Sequence, residues 1–146
     1  NTFRFSREDV PQLQPRIAAL LQEEGFMVQP FLREVQEEGE WSFLFFNGRF
    51  SHCLLKKART GDFRVQHYLG GTIHPQAPDP ELLKTAEKYV REFGRGCLHA
   101  RVDGVVTGGV FHLMELELIE PFLFLFTDEN SYQNYYEGLT GVLETA

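Results

Sequence analysis

Residues 97–119, CLHARVDGVVTGGVFHLMELELI, decide the fold. Two apolar runs, 97–106 and 110–119, flank the dipeptide Gly108-Gly109, and this pattern is typical of antiparallel strands joined by a tight turn. The stretch therefore predicts a β-hairpin. The runs 41–46 and 49–57 are apolar on both faces, so we expect those two strands to belong to a covered sheet.

Four charged side chains interrupt this apolar hairpin. If the turn is centred near Gly109, strand alternation places Asp103 opposite Glu115. The same register places Arg101 opposite Glu117. Clustered carboxylates raise one another's pKa, and burying them costs roughly several kcal/mol per ion. Mg²⁺ relieves both problems, because it prefers carboxylate and phosphate oxygens. The alternative is an exposed face with cross-strand ion pairs.

Similar patterns organise the rest of the chain. Asn47-Gly48 between two apolar runs is a strong hairpin signal, and Asp79-Pro80 is typical of a helix start. The order of these elements predicts the α+β fold class, with a mainly antiparallel sheet and helices packed on one side. Strands are predicted at 2–5, 26–32, 41–46, 49–57, 62–67, 97–106 and 110–119, helices after Ser6, after Asp79 and over 131–143, and loops at 34–40 and 75–80.

The composition limits the class of protein. The chain has 146 residues, a net charge of −7 and 42% hydrophobic residues, which is typical of one globular domain rather than a nucleic-acid or membrane binder. No apolar run approaches the ~20 residues of a membrane span. Cys53 and Cys97 lie in apolar runs, as reduced thiols of a cytoplasmic protein do. Because the chain opens directly at Asn1 with a strand-like run, we expect a fragment of a longer protein.

A basic run lies between the two hairpins. Lys56, Lys57 and Arg59 precede the sequence GDFR at 61–64. Such cations can neutralise phosphoryl oxygens and support developing negative charge. For Lys57 and Arg59 the alternative is a solvated turn. His52 and His99 lie in strands without zinc-site spacing, so we expect them to be hydrogen-bonded strand residues.

Together these motifs resemble the ATP-grasp ligases. The resemblance rests on 54–64 (LLKKARTGDFR) followed by Gly70-Gly71, on 101–103 (RVD) with 113–117 (LMELE), and on 28–32 (VQPFL). The nearest branch resembles the ribosomal protein S6 glutamate ligase and glutathione synthetase group. It implies that 1–146 form a single domain, the C-terminal part of an ATP-grasp fold, which an N-terminal substrate domain precedes.

The resemblance also implies an activity and a set of site residues. The activity is an ATP- and Mg²⁺-dependent joining of a small carboxylate, an amino acid or peptide, to an amine or thiol through an acyl-phosphate. The oligomeric state stays open, a homo-oligomer included. By position, the resemblance implies that adenine is contacted by Gln29, Pro30, Phe31 and Leu32, and the ribose by Glu40. Lys56 would contact the nucleotide phosphates, and Arg64 and Arg101 would contact the transferred phosphate and the acyl-phosphate. One or two Mg²⁺ or Mn²⁺ ions would be bound by Asp103, Glu115 and Glu117.

Two positions depart from the family pattern. Glu117 stands where the family commonly has Asn as its last metal ligand, and Gln66 stands where a related branch has Asn. The pattern also resembles the branch that includes an amide-forming cyclo-ligase of antibiotic synthesis. Because Gln66 and Glu117 both depart from the family pattern, a second hypothesis is a nucleotide-binding or interaction module that has lost its chemistry.

Overall fold

The computed structural model describes residues 2–59 and 70–144. The chain forms two compact units, Asn1–Phe31 and Leu32–Ala146. None of the helices among the described residues is both long and apolar enough to cross a membrane.

The regular secondary structure described in the first unit is helical. A 3₁₀ turn at Arg7–Asp9 leads into α1, Val10–Leu20. The backbone N–H and the hydroxyl of Ser6 both donate to Asp9 Oδ2, each at 2.7 Å, so the predicted helix start is confirmed.

The strands predicted at 2–5 and 26–32 were wrong. Neither segment pairs with a strand among the described residues, and an apolar run needs such a partner to satisfy its backbone. The rings of Phe3 and Phe5 instead pack at 6.2 Å, and the guanidinium of Arg16 lies 5.2 Å above Phe3.

The second unit contains a five-stranded sheet. The strand order is β3-β2-β1-β4-β5, and every neighbouring pair is antiparallel. This confirms the predicted α+β class with its antiparallel sheet. The strands are β1 (Glu40–Phe46), β2 (Arg49–Lys57), β3 (Thr72–Gln76), β4 (His99–Thr107) and β5 (Val110–Glu117).

Both predicted hairpins form, and both use two-residue turns. Asn47 and Gly48 have φ of 46° and 75°, and Gly108 and Gly109 have φ of 58° and 80°. Two consecutive residues with positive φ are required by the tight turn whose twist matches a hairpin, and Asn-Gly and Gly-Gly adopt it readily.

Each hairpin also contains a one-residue β-bulge. Beyond the bulge, the side chains of one strand point to the opposite face relative to their partners. In β1–β2, Phe45 pairs with Phe50, but Leu44 pairs with His52, so Ser51 is the extra residue. In β4–β5, Gly104 pairs with Leu113, but Asp103 pairs with Glu115, and Met114 is the extra residue. Such bulges shift the alternation by one position.

The helices predicted after Asp79 and over 131–143 both form. α3 (Pro80–Phe93) begins at Asp79, whose side chain accepts the N–H of Glu81 at 2.8 Å, and ends before Gly94. Ala86 and Val90 of α3 pack against Phe43 and Phe45 of β1, so this helix covers one face of the sheet. α4 (Ser131–Leu143) packs beside the end of β1, where Tyr135 makes an edge-on ring contact with Phe46.

Two predicted loops contain regular structure. Residues 75–80 were predicted as a loop, but Pro75 belongs to β3, which is the last described strand at its end of the sheet. An edge strand tolerates a residue without an N–H. Residues 34–40 contain α2 (Glu34–Glu37), because Val35 is buried against Leu32 and Val105. The strand predicted at 62–67 lies outside the described residues.

Gly104 provides a test of this packing. A Cβ at Gly104 would lie 2.1 Å from Phe111 Cζ, and the Phe111 ring is itself buried edge-on against Phe43. Gly104→Ala is therefore expected to lower the free energy of unfolding by about 1–3 kcal/mol in urea denaturation. In a Phe111→Ala background the same change should cost nothing, since the ring that it strikes is gone. An equal cost in both backgrounds would contradict the contact.

Candidate functional site

Among the described residues, one face of the sheet gathers six charged side chains, which we call the charged cluster. Strand pairing places Glu40 opposite Lys56, and Ser42 opposite Asp103. The predicted register of the β4–β5 hairpin is confirmed, with Asp103 opposite Glu115 and Arg101 opposite Glu117. The charged cluster consists of Glu40, Lys56, Arg101, Asp103, Glu115 and Glu117.

Asp103 lies at the centre of the cluster and is 1% exposed. Its Oδ1 accepts the Ser42 hydroxyl at 2.6 Å and Arg101 Nε at 3.1 Å. Its Oδ2 accepts Lys56 Nζ and Arg101 Nη2, each at 2.9 Å. Ser42 was missed in the sequence analysis, although it is a lone small polar residue in the aromatic run 40–46.

These contacts set the ionisation of Asp103. Burial alone would raise its pKa, but the charges of Lys56 and Arg101, with the hydrogen bonds from Arg101 and Ser42, hold the pKa below its usual 3.8. Asp103 is therefore a carboxylate at neutral pH. The stability that it contributes is present above its unfolded-state pKa and is lost as the pH falls through its lower folded-state value.

Lys56 and Arg101 connect the other carboxylates. Lys56 Nζ also lies 2.5 Å from Glu40 Oε1. Arg101 Nη2 bonds Glu117 Oε1 and lies 3.8 Å from Glu115 Oε2. Four carboxylates and two cations leave two net negative charges when all are ionised, which is the charge that one divalent cation would balance.

Three carboxylates of the cluster can fit a metal ion. One oxygen each from Asp103, Glu115 and Glu117 lie within 4.8 Å of one another, and hard oxygens are the donors that Mg²⁺ prefers. Burial, followed by the charges of Glu117 and Asp103, raises the pKa of Glu115, and the opposing charge of Arg101 does not cancel this shift. Glu115 has a side chain 59% exposed, so it is open to a ligand.

The other predicted site residues are spread over both units. Gln29, Pro30 and Phe31 belong to the first unit, and Leu32 to the second, where it packs against Val35 and Val105. Arg64 lies outside the described residues. The structure thus brings together Glu40 and Lys56 with Arg101, Asp103, Glu115 and Glu117, and leaves the adenine contacts as predictions.

Glu40 gives the cluster a pH dependence of known sign. Burial outweighs the attraction of Lys56 and raises the pKa of Glu40 above its usual 4.5. A raised pKa means that folding favours the neutral form, so Glu40→Gln should be more stable than wild type at pH 7. That advantage should shrink as the pH falls through the folded-state pKa toward 4.5. Urea denaturation at several pH values measures it, with exposed Glu92→Gln as the control; a pH-independent difference would contradict the burial of this charge.

Solved structures define the class of fold. The chain aligns over nearly all of its length with solved structures of ATP-grasp ligases, so it has the α+β fold that these enzymes share, as predicted. D-cycloserine synthetase aligns with a TM-score of 0.79 and 24% identity, over 96% of this chain and 50% of that one. D-alanine–D-alanine ligase from Bacillus anthracis aligns with a TM-score of 0.58 and 15% identity, over 99% of this chain and 49% of that one. The ATP complex of a D-alanine–D-alanine ligase from the same organism aligns with a TM-score of 0.57 and 13% identity, over 97% of this chain and 47% of that one.

The chain spans about half the length of these structures, and their likeness shows the fold alone. No known protein-family model matches the sequence, and no curated protein matches it either. The ribosomal protein S6 glutamate ligase and glutathione synthetase branch therefore stays a prediction.

Proposed function

We propose that this chain is the metal- and phosphate-binding half of an ATP-dependent carboxylate–amine or carboxylate–thiol ligase. One observation carries the proposal: Asp103, Glu115 and Glu117 converge with Lys56 and Arg101 on one face of an ATP-grasp sheet. The combination of hard oxygen donors and cations suits a nucleotide phosphate with its metal ion.

Glu115 and Glu117 would hold Mg²⁺ or Mn²⁺, one or two ions, and Asp103 would complete the ligand set. The metal would neutralise charge on the nucleotide phosphates. The oxygens of Asp103 already accept from Lys56, Arg101 and Ser42, so the fixed Asp103 also holds both cations in place.

The cations would act on the phosphoryl groups. Lys56 would approach the nucleotide phosphates, and Arg101 and Arg64 would stabilise the transferred phosphate and the acyl-phosphate. Because the cations are held in place before the reaction, they would stabilise the negative charge that develops on the phosphoryl group without having to reorganise in the transition state. Glu40 would bind the ribose, and Gln29, Pro30, Phe31 and Leu32 the adenine.

The carboxylate substrate, an amino acid or peptide, would attack the γ-phosphate of ATP, and ADP would leave. An amine or thiol would then displace phosphate from the acyl-phosphate. The same proposal includes the domain organisation, in which 1–146 form a single domain that a substrate domain precedes. It also includes a cytoplasmic location, where the thiols stay reduced. Cys53 and Cys97 are both free, which agrees with that location.

A second candidate is a nucleotide-binding or interaction module without chemistry. The observation that favours it is the complete hydrogen bonding of Asp103 by Lys56, Arg101 and Ser42, which satisfies the cluster without a ligand. Release of ADP by the full-length protein, measured with a panel of amino acids and amines, separates the two. The ligase releases ADP only when a cognate acid is present; a protein that binds the nucleotide and releases no ADP with any acid is the module.

A further inference from the structure

The segment that follows β5 contacts the charged cluster through its backbone. We call residues 118–124 the exit segment. The carbonyl oxygen of Phe122 accepts Arg101 Nη1 at 3.4 Å, and the guanidinium carbon of Arg101 lies 5.9 Å from the centre of the Phe124 ring. Asp103 and Glu117 occupy the other nitrogens of the same guanidinium. The orientation of Arg101 therefore depends on the exit segment as well as on its carboxylates.

The exit segment adopts a conformation that the surroundings must impose. Phe124 has φ 48° and ψ 34°, a left-handed conformation that non-glycine residues rarely adopt. Its ring is buried against Leu44 and Leu54, and its carbonyl accepts both the N–H and the hydroxyl of Thr127. Backbone strain of this kind persists only where neighbouring contacts over-determine it.

Two histidines from the sheet hold the two ends of the segment. His99 Nε2 lies 2.9 Å from the carbonyl oxygen of Ile119, and His52 Nε2 lies 3.0 Å from that of Leu123. A carbonyl can only accept, so Nε2 of each ring carries the proton. The Phe122 carbonyl that contacts Arg101 lies between these two attachment points in sequence.

The orientation of the His52 ring is itself fixed. Its Nδ1 accepts the Ser51 hydroxyl at 2.9 Å, and Ser51 Oγ accepts Asn134 Nδ2 of α4 at 3.1 Å. Ser51 is the extra residue of the β1–β2 bulge, which frees its side chain for this role. Burial lowers the pKa of His52 below its usual 6.5, so the ring is neutral at pH 7 and both nitrogens keep their partners.

We propose that His52 is a positioning residue of the charged cluster: its bond to Leu123 fixes the exit segment, and the Phe122 carbonyl then holds Arg101 against Asp103 and Glu117. His99 supports the other end of the segment. The catalytic consequence rests on the proposed function, but the positioning itself can be measured without a nucleotide.

Hydrogen exchange of the Arg101 side chain tests the proposal in the full chain. The Nε–H of Arg101, assigned by its loss in Arg101→Lys, is followed by ¹⁵N NMR in wild type and three variants. His52→Met removes the donor, His52→Gln keeps an amide donor near the Nε2 position, and His112→Met changes an exposed histidine of β5. His52→Met should exchange about fivefold faster, in keeping with the loss of one hydrogen bond. His52→Gln and His112→Met should stay near the wild-type rate.

Global unfolding of the same variants in urea separates positioning from simple destabilisation. The proposal stands if the Arg101 exchange in His52→Met exceeds the acceleration expected from its loss of stability. The proposal is overturned if the Arg101 exchange rate in His52→Met is unchanged, or if His52→Gln exchanges as fast as His52→Met. It is also overturned if the acceleration in His52→Met is no larger than its loss of global stability accounts for. Failure of the proposed function would show as absent ADP release and would leave this result unaffected.

Discussion

Replacing Lys56 with methionine is expected to lower the free energy of unfolding by about 3 kcal/mol, because it leaves the largely buried carboxylate of Glu40 without its nearest counter-charge. Lys56 bridges Glu40 and Asp103, and the three side chains are 9%, 13% and 2% exposed. Asp103 retains Arg101 and Ser42, so the greater loss falls on Glu40. Urea denaturation at pH 7 measures the change.

Two further variants make this result specific. Lys57→Met alters the next residue, which is exposed, and should change stability by no more than about 0.5 kcal/mol. The double variant Lys56→Met/Glu40→Gln should recover part of the lost stability, because it also removes the unpaired negative charge of Glu40. If Lys56→Met and Lys57→Met cost the same, Lys56 is not the buried bridge that the structure shows.

The second large effect concerns activity. On the proposed function, Glu115→Ala in the full-length protein should reduce ATP-dependent ligation by about 100- to 1000-fold, since a catalytic metal ion supplies several kcal/mol of transition-state stabilisation. The side chain is 59% exposed, so stability should change little. The measurement is the initial rate of ADP release at saturating Mg²⁺ with the cognate acid.

The control for that prediction is Glu92→Ala, which removes an exposed carboxylate of α3. It should keep the wild-type rate. A rate for Glu115→Ala within about twofold of wild type, with its fold intact, would contradict the proposed role of Glu115 in the reaction.

The parts of the fold that short-range signals determine could be predicted. Asp79 and Gly94 bound α3, the helix at 131–143 was placed correctly, and Asn47-Gly48 forms the expected turn. The strands at 2–5 and 26–32 were wrong, because an apolar run becomes a strand only where another strand is available to pair with it. β3 was missed for the converse reason, since Pro75 argues against a strand unless the strand is known to lie at an edge.

Six of the predicted site residues meet in the charged cluster, but the features of the fold that bring them together were not predicted. The pairs Asp103 with Glu115 and Arg101 with Glu117 were predicted from a turn centred near Gly109. The turn is centred between Gly108 and Gly109, which alone would place Asp103 opposite Met114, and the bulge at Met114 restores the predicted pairs. A bulge depends on packing across the sheet, of which Phe111 over Gly104 is part, and such contacts between distant residues leave no periodic signal.

The same reasoning applies to Lys56. With the two-residue turn alone, Leu55 would face Glu40, and the bulge at Ser51 brings Lys56 to that position instead. Both bulges therefore turn charged residues onto one face of the sheet. Alternation within each strand is visible in the sequence, whereas the relation between strands is fixed by the fold.

The central claim is that Asp103, Glu115 and Glu117 bind a divalent cation that connects the chain to nucleotide phosphates. Calorimetric titration of the full-length protein with a non-hydrolysable ATP analogue, with Mg²⁺ and with EDTA, tests it most directly. Mg²⁺ should tighten binding at least about tenfold in wild type, and Glu115→Gln/Glu117→Gln should lose that increase while Glu92→Gln keeps it. Binding that is equally tight in EDTA, or an unchanged Mg²⁺ effect in the double variant, would contradict the claim.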